Sequence, residues 1–302
     1  MSDFPTCDLV LPVFNSLTYV KDCLESVLVG TQDCPYHLYI IDDASDGYTA
    51  AFLEQQAATY SHISVLRLPQ NQGFVRACNL GITQGMSPYV VLVNSDVIVT
   101  PGWLSRLVRC AESDPRIAAV NPLTNHAPYL DIPLVPGANF YGMDAVLAQH
   151  SSRHYPDVVT GVGFCLLLRR AALSQVGVFD EIYGQGYCED SDLCMRLVAH
   201  GYRTVVADDV YVYHKGSASF FDRETRYRHN RKIFDVRWAA EYQRQFHVFR
   251  QRNPLQPVRD LFQFPHRWDP FSFLRREGSR QIRRLLKGER LPVIAKEAVR
   301  TV

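Results

Sequence analysis

A short polar segment, Asn94-Ser95-Asp96, directly follows the apolar run Tyr89–Val93, which has the length and composition of a buried strand. A carboxylate at the end of such a strand can bind a divalent cation, and oxygen ligands of this kind suit Mg²⁺ or Mn²⁺. The cation would in turn neutralise a diphosphate. The same residue types are common in ordinary strand-ending turns, so the segment taken alone fits either interpretation.

A second acidic segment, Asp42-Asp43-Ala44-Ser45-Asp46-Gly47, follows the predicted strand His37–Ile41. Its carboxylates could accept hydrogen bonds from the imide N–H of uracil or thymine, or from ribose hydroxyls. An Asx-type turn would use the same residues without any ligand. Both interpretations stay open on this segment alone.

A third acidic segment, Gly186–Asp192, leads into the predicted helix Glu189–His200. Projected at about 100° per residue, Asp190 falls near the centre of the apolar stripe of this helix and points inward. Asp192 falls on the opposite face, where it can pair with Arg196 one turn later. The helix dipole favours acidic residues in a first turn, which accounts for Asp192 but not for an inward Asp190. We therefore predict that Asp190 is ionised at neutral pH and acts as a general base.

A single histidine, His214, ends the aromatic run Tyr211–Tyr213. A neutral imidazole at a strand end can ligate a divalent metal ion. Since a lone histidine is more often an ordinary core or surface residue, this position gains weight only beside other ligands.

The elements that would position these residues alternate between short apolar runs and amphipathic stretches. Repeated strand–helix–strand units predict an α/β fold with a mainly parallel central sheet and helices on both faces. Ligands of such sheets bind at the carboxyl ends of the strands, so the segments after strands two and four should converge. We predict strands at Asp8–Val13, His37–Ile41, Ile63–Leu68, Tyr89–Val93, Tyr202–Val206 and Val210–Tyr213, further regular structure at Val158–Leu168, helices at Leu17–Val29, Thr49–Tyr60, Phe74–Thr83 and Glu189–His200, and a long surface excursion over Asn121–Pro156.

The composition is that of a globular protein. The 32 Lys and Arg nearly balance the 31 Asp and Glu, which gives no support to nucleic-acid binding. The eight cysteines form no Cys-x-x-Cys pair and mostly stand in apolar runs, which predicts buried, reduced thiols. No apolar run reaches the roughly 20 residues that span a bilayer, and the N-terminus has no signal-type segment, so we expect a cytoplasmic protein.

Six segments occur in a fixed order: Leu11–Asn15, Ile41–Gly47, Asn71–Ile82, Leu92–Asp96, Gly186–Asp192 and His214–Ser217. Together they resemble glycosyltransferase family 2, which has a GT-A-type nucleotide-sugar fold, and the resemblance runs over residues 8–217. It implies an inverting transfer of a sugar from a UDP- or dTDP-sugar donor to an acceptor hydroxyl. It also implies a divalent metal cofactor, Mn²⁺ or Mg²⁺.

The resemblance gives each matching residue an expected role. Asp96 would ligate the metal at the position of the family's Asp-x-Asp motif, from which Asn94 departs by replacing the first Asp. His214 would be the second protein ligand, and Asp190 would be the catalytic base. The residues implied to bind the nucleotide-sugar donor are Pro12, Val13, Asp42, Asp43, Arg76, Asn79, Asn94 and Ser95.

The acceptor in this family docks beside the second half of the domain. That position implies acceptor contacts from Tyr129–Tyr155 and from Gly161–Phe164, including Gly163, with Glu189 as a supporting residue. Trp103 could pack on a sugar, although core packing is the simpler expectation. A glycan or a lipid-linked saccharide, in cell-surface polysaccharide synthesis, is the expected acceptor.

Residues 1–220 are expected to form the catalytic domain, and residues 221–302 a basic, aromatic, mostly helical extension. The extension could pack on the catalytic domain or on a second subunit. It could also lie on an anionic membrane surface beside a lipid-linked acceptor, as a peripheral contact. Its proline breaks favour packing.

Two other functions would use a similar chain. A sugar-nucleotide nucleotidyltransferase would need a Gly-rich, basic loop after the first strand, which the segment Leu11–Ser16 lacks. A non-catalytic nucleotide-sugar or glycan-binding protein would not need an inward-facing base such as Asp190. The presence of Asp43, Asp96, Asp190 and His214 together therefore favours an enzyme.

Overall fold

The structure is a computed structural model that describes residues 4–216 and 223–263. These residues form an α/β fold around one mixed sheet, as the alternating pattern predicts. The strands are β1 (Cys7–Val13), β2 (Tyr36–Asp42), β3 (Ile63–Arg67), β4 (Tyr89–Val93), β5 (Val97–Ile98), β6 (Ile117–Thr124), β7 (Cys165–Arg169) and β8 (Arg203–His214). The helices are α1 (Leu17–Gly30), α2 (Gly47–Thr59), α3 (Phe74–Ile82), α4 (Trp103–Glu112), α5 (Phe140–His150), α6 (Arg170–Val176), α7 (Glu189–Ala199), α8 (Arg223–Arg252) and α9 (Gln256–Gln263).

The order of the strands across the sheet is β3-β2-β1-β4-β7-β6-β8-β5. The first four strands in that order run parallel, as do β6 and β8. Strand β7 is antiparallel to both β4 and β6, and β5 is antiparallel to β8. The sheet is therefore parallel on one side, as predicted, and mixed on the other.

Each face of the sheet carries its own helices, because successive side chains of a strand point to opposite faces. In β1, Leu9 and Leu11 pack in a core with α1 and α4. Val10, between them, packs in a second core with α3, α6 and α7. All five residues of β4 are buried, which explains its continuous apolar run.

The segment Asn121–Pro156 is not the surface excursion predicted from its weak periodicity. Its first residues complete β6, which is wholly buried, and α5 follows with Met143 and Leu147 in the core. The polar residue Asp144 obscures the apolar stripe of α5. It is buried because it forms an ion pair with Arg106 of α4.

The two strands predicted at Tyr202–Val206 and Val210–Tyr213 are a single strand, β8. Asp208 and Asp209 separate the apolar runs in the sequence, and the register against β6 shifts at this point. Both aspartates are buried in the structure. Asp208 accepts hydrogen bonds from Ser151 and from the backbone N–H of Tyr155, so the strand continues through polar residues.

The described part of the C-terminal extension is helical and packs on the rest of the chain. Phe234 of α8 is buried in the core that contains α7, and Leu255 and Val258 are buried in the opposite core. The basic segment Arg275–Arg300 lies outside the described residues, and the boundary at residue 220 stays a prediction. None of the described helices combines the length and the apolar character that a membrane crossing requires.

All eight cysteines are buried and none forms a disulfide, as the sequence predicts. Trp103 is also a core residue, because its side chain is fully buried and its indole N–H donates to Thr31 Oγ1 at 2.8 Å. The alternative role for Trp103, packing on an acceptor sugar, is therefore wrong.

We predict that Arg106→Met lowers the free energy of unfolding by about 3–5 kcal/mol, because it leaves the buried Asp144 carboxylate without its cation. Urea titration followed by circular dichroism measures the change. Arg116→Met is the matched control, since Arg116 is exposed and pairs with Asp114 at the surface. Equal effects of the two substitutions would contradict the role given to the buried pair.

Candidate active site

The short strand β5 brings two predicted metal ligands together. It follows Asp96 directly and pairs antiparallel with β8, placing Val97 opposite His214. The Asp96 Oδ2 and His214 Nε2 atoms are 3.3 Å apart, and both side chains are mostly shielded from solvent. A carboxylate oxygen and an imidazole nitrogen at this separation could ligate one divalent cation.

The orientation of the His214 ring is fixed from several sides. Its Nδ1 lies 2.8 Å from the backbone carbonyl oxygen of His126, so Nδ1–H donates to that oxygen. The Asn125 side chain hydrogen-bonds both backbone groups of His214. The Phe164 ring stacks on the imidazole with centroids 5.1 Å apart. Nε2 therefore faces Asp96, in the arrangement in which a histidine ligand is held by its other nitrogen.

Asn94 also has an atom suited to a ligand. Its backbone N–H donates to the Phe164 carbonyl at 2.8 Å, and its backbone carbonyl accepts from Val97. Its side-chain Oδ1 is buried and has no hydrogen-bond partner in the protein. Because buried polar atoms are nearly always paired, this oxygen points to a donor or cation supplied by a ligand.

The described residues contain no group of three or more His, Cys, Asp and Glu side chains that could hold a metal ion. Asp96 and His214 are therefore the two side chains that would hold a divalent cation, with few ligands from the protein. A site with few protein ligands is usual for Mg²⁺, which is often held by one or two carboxylates together with substrate phosphates.

Asp190 lies in the first turn of α7, and its carboxylate is held by backbone donors. The N–H of Gly163 donates to Oδ2 at 2.9 Å, and the N–H of Ser191 donates to Oδ1 at 2.6 Å. Burial raises the pKa of Asp190, and these hydrogen bonds offset part of that rise. A raised pKa makes an oriented carboxylate a better proton acceptor near neutral pH.

The helical projection places Asp192 on the face opposite the apolar stripe. In the structure this face is not exposed. Asp192 is fully buried, and it accepts hydrogen bonds from the Tyr183 hydroxyl at 3.1 Å and the Trp238 indole at 2.8 Å. The predicted ion pair with Arg196 is present at 2.9 Å. The projection fails because α8, far along the chain, covers this side of α7.

Glu189 is only 4% exposed, and its Oε2 atom has no hydrogen-bond partner. Its pKa lies well above the ordinary value, because burial disfavours the carboxylate and the charge of Asp190 opposes a second negative charge. Glu189 therefore favours its protonated form more strongly than an exposed carboxyl group does.

The two acidic residues predicted to line the nucleotide pocket are used within the protein. Asp42 pairs with Arg67 and accepts from the Ser45 N–H. Asp43 accepts from the backbone N–H groups of Gln72 and Gly73 at 2.6 and 2.9 Å, and so holds the start of α3. Both residues are buried.

The other residues predicted to bind the nucleotide-sugar donor either have partners within the protein or lie at strand ends. Arg76 is half exposed and pairs with Glu181 at 3.0 Å. Asn79 uses both ends of its amide on the backbone of Phe179, at 2.9 and 3.0 Å, so it links α3 to a distant loop. Three residues lie at strand ends near this region: Pro12 and Val13 in β1, and Ser95 in the turn after β4.

Comparison with known proteins agrees with the motifs. Residues 8–177 match the family model described as glycosyl transferase family 2. An N-acetylglucosaminyl-diphospho-decaprenol L-rhamnosyltransferase of Mycobacterium tuberculosis is 30% identical over 239 residues, which cover 68% of this chain and 76% of that protein. An uncharacterized protein y4gI of Sinorhizobium fredii is 25% identical over 261 residues, covering 80% of this chain but 28% of that protein. The chain therefore spans under a third of the length of the second relative.

The fold of this chain is similar to that of a solved structure. The crystal structure of GalNAc-T7 with UDP, GalNAc and Mn²⁺ superimposes with a TM-score of 0.63 at 14% identity. The match covers 96% of this chain and 59% of the other. The predicted GT-A fold is therefore confirmed.

We predict that Glu189→Gln stabilises the protein increasingly as the pH rises. Folding raises the pKa of Glu189 above its ordinary value of 4.5, so the folded state binds this proton more tightly than the unfolded state does. At a pH above the pKa of Glu189 in both the folded and the unfolded protein, each tenfold difference in proton affinity lowers the stability of the parent by about 1.4 kcal/mol. Below the ordinary pKa of 4.5 this loss is absent. The variant should therefore match the parent below that pH and gain on it above.

Thermal unfolding between pH 4 and 9 measures the difference, with Glu181→Gln as the exposed control. A difference between Glu189→Gln and the parent that does not depend on pH would contradict the raised pKa of Glu189.

Proposed function

This chain belongs to glycosyltransferase family 2, and from that premise we propose that it transfers a sugar from a nucleotide-sugar donor to an acceptor hydroxyl. The observation that supports the proposal most directly is the junction at Gly163-Phe164. Gly163 binds the carboxylate of Asp190 through its N–H. Phe164 accepts from the Asn94 N–H and stacks on the ring of His214. One dipeptide thus links the proton acceptor to the candidate metal ligands.

The donor diphosphate would bind at the ends of β4 and β8. Asp96 and His214 would hold Mn²⁺ or Mg²⁺ there, and the unpaired Asn94 Oδ1 would accept a hydrogen bond from the ribose. When bound, the cation supplies positive charge that offsets the charge developing on the departing diphosphate. The Mn²⁺ and UDP in the GalNAc-T7 structure, which shares the fold, support this arrangement.

The proton acceptor of the reaction would be Asp190. The acceptor oxygen attacks the anomeric carbon while the bond from that carbon to the diphosphate oxygen breaks, and the bonding electron pair leaves with the diphosphate. The proton of the attacking hydroxyl passes to the Asp190 carboxylate, which Gly163 and Ser191 hold in place. A single displacement of this kind inverts the anomeric configuration.

The name of one relative supports a proposal for the acceptor class. The protein from Mycobacterium tuberculosis is named as an L-rhamnosyltransferase of N-acetylglucosaminyl-diphospho-decaprenol. For this chain we extend that to a glycan or lipid-linked saccharide acceptor and a UDP- or dTDP-sugar donor. Such a reaction would serve cell-surface polysaccharide synthesis at the cytoplasmic side of the membrane.

We predict that Asp190→Asn lowers kcat for transfer by about 10²–10⁴-fold, because the amide cannot take the proton. The dissociation constant for the donor should change little, since Asp190 is assigned to the acceptor side. Turnover with UDP-, dTDP- and GDP-sugars measures the first effect, and calorimetry measures the second. Asp157→Asn, at an exposed carboxylate, is the control. Parental turnover in Asp190→Asn would remove Asp190 from the role of base.

A further inference from the structure

One face of α8 packs on α7 and on the loop that precedes it. The residues on this face are Asn230, Phe234, Arg237 and Trp238, which have the i, i+4, i+7, i+8 spacing of a single helical stripe. Asn230 is 5% exposed and Phe234 is 1% exposed. Arg237 and Trp238 donate to Asp192 at 3.2 and 2.8 Å. Helix α8 begins at residue 223, well beyond the residues 8–177 that the family model matches.

The side chain of Asn230 binds the backbone of that loop. Its Nδ2 group donates to the carbonyl oxygens of Tyr183, Gly186 and Tyr187 at 2.8, 2.8 and 3.1 Å. An amide nitrogen carries only two protons, so three carbonyl groups converge on one buried donor. These two protons are shared among the three carbonyl oxygens, so one residue holds the backbone of the loop.

The loop has a backbone conformation that needs such support. Four of its residues have positive φ angles, namely Gly184 at 57°, Gly186 at 116°, Tyr187 at 77° and Cys188 at 74°. For residues other than glycine this conformation costs energy and persists only when the surroundings impose it. Tyr187 and Cys188 are consecutive, and Asp190 follows two residues later.

The opposite side of the loop contacts the start of α3. A Cβ atom on Gly73 would lie 2.9 Å from Gln185 Cγ, so the loop packs directly on the backbone of Gly73. The N–H of Gly73 donates to the Asp43 carboxylate at 2.9 Å. The loop is therefore held between the predicted nucleotide side and α8, and its conformation sets where Asp190 stands relative to Gly163.

We propose that Asn230 is a positioning residue for Asp190, which makes the C-terminal helix α8 part of the catalytic machinery. This inference rests on the proposed function, in which Asp190 accepts the proton. Asn230 itself touches no substrate. It acts through the Tyr183–Cys188 loop, and its loss should affect the chemical step more than donor binding.

The test compares Asn230→Asp with the parent protein. Aspartate has nearly the same shape but lacks the amide donors, and it places an acceptor against three carbonyl oxygens. We expect kcat to fall on the order of 10²-fold, as for a misplaced catalytic group, while the donor dissociation constant stays within about twofold. Hydrogen exchange should accelerate at the amides of residues 184–190 and stay unchanged in β1 and β4. Asn253→Asp, at an exposed asparagine, is the matched control.

Asn230→Ser tests the same point if the aspartate variant does not fold. Its hydroxyl keeps one donor, and we expect a smaller fall in kcat with the same selective exchange at residues 184–190. Unchanged kcat in both variants, or exchange that accelerates uniformly over the protein, would overturn the positioning role. A parent without turnover would instead contradict the proposed function, and the exchange pattern would still decide whether Asn230 holds the loop.

Discussion

The antiparallel pairing of β5 with β8 is the constraint on which the site depends. It joins Val97 and Ile98 to His214 and Tyr213, and beside it the N–H of Lys215 donates to the Asp96 carbonyl at 2.9 Å. Without it, Asp96 at the end of β4 and His214 at the end of β8 would have no reason to meet, because β7 and β6 lie between β4 and β8 in the sheet. Two residues of strand thus set the 3.3 Å approach of the carboxylate and the imidazole. Phe164 reinforces the approach by packing on the His214 ring.

A second constraint is the supply of hydrogen-bond partners to buried polar groups. Acidic residues around the candidate site have hydrogen-bond partners within the protein, as with Asp43, which binds the start of α3, and Asp192 of α7, which is covered by α8. Asn94 Oδ1 and Glu189 Oε2 are exceptions among the described side chains. Both lie in the segments that the family motifs mark, one beside the proposed metal ligands and one beside the proposed base. An unpaired buried oxygen at each place is consistent with a site built to receive polar groups from substrate.

The sequence predicts the strand-end clusters well, because apolar runs such as Tyr89–Val93 end sharply and the polar residues after them must lie at the sheet edge. It does not predict what those residues bind. The projection of α7 places Asp192 opposite the apolar stripe, and the sequence of this helix alone cannot show that α8 packs on that face. Asp144 and the pair Asp208-Asp209 interrupt apolar patterns in the same way, and Asp144 and Asp208 are buried against partners that arrive from distant segments. Asn230 has no signal in its local sequence, and its role depends on tertiary contacts alone.

The proposed mechanism requires above all that Asp96 and His214 bind a divalent cation together with a nucleoside diphosphate. Isothermal titration calorimetry of UDP and dTDP, in Mn²⁺ or in EDTA, tests this most directly with the parent and with Asp96→Asn. We expect Mn²⁺ to tighten binding of one nucleotide to the parent by at least about tenfold, and Asp96→Asn to lose this gain. Equal affinity of the parent in Mn²⁺ and in EDTA, or an undiminished gain in Asp96→Asn, would contradict the shared cation site.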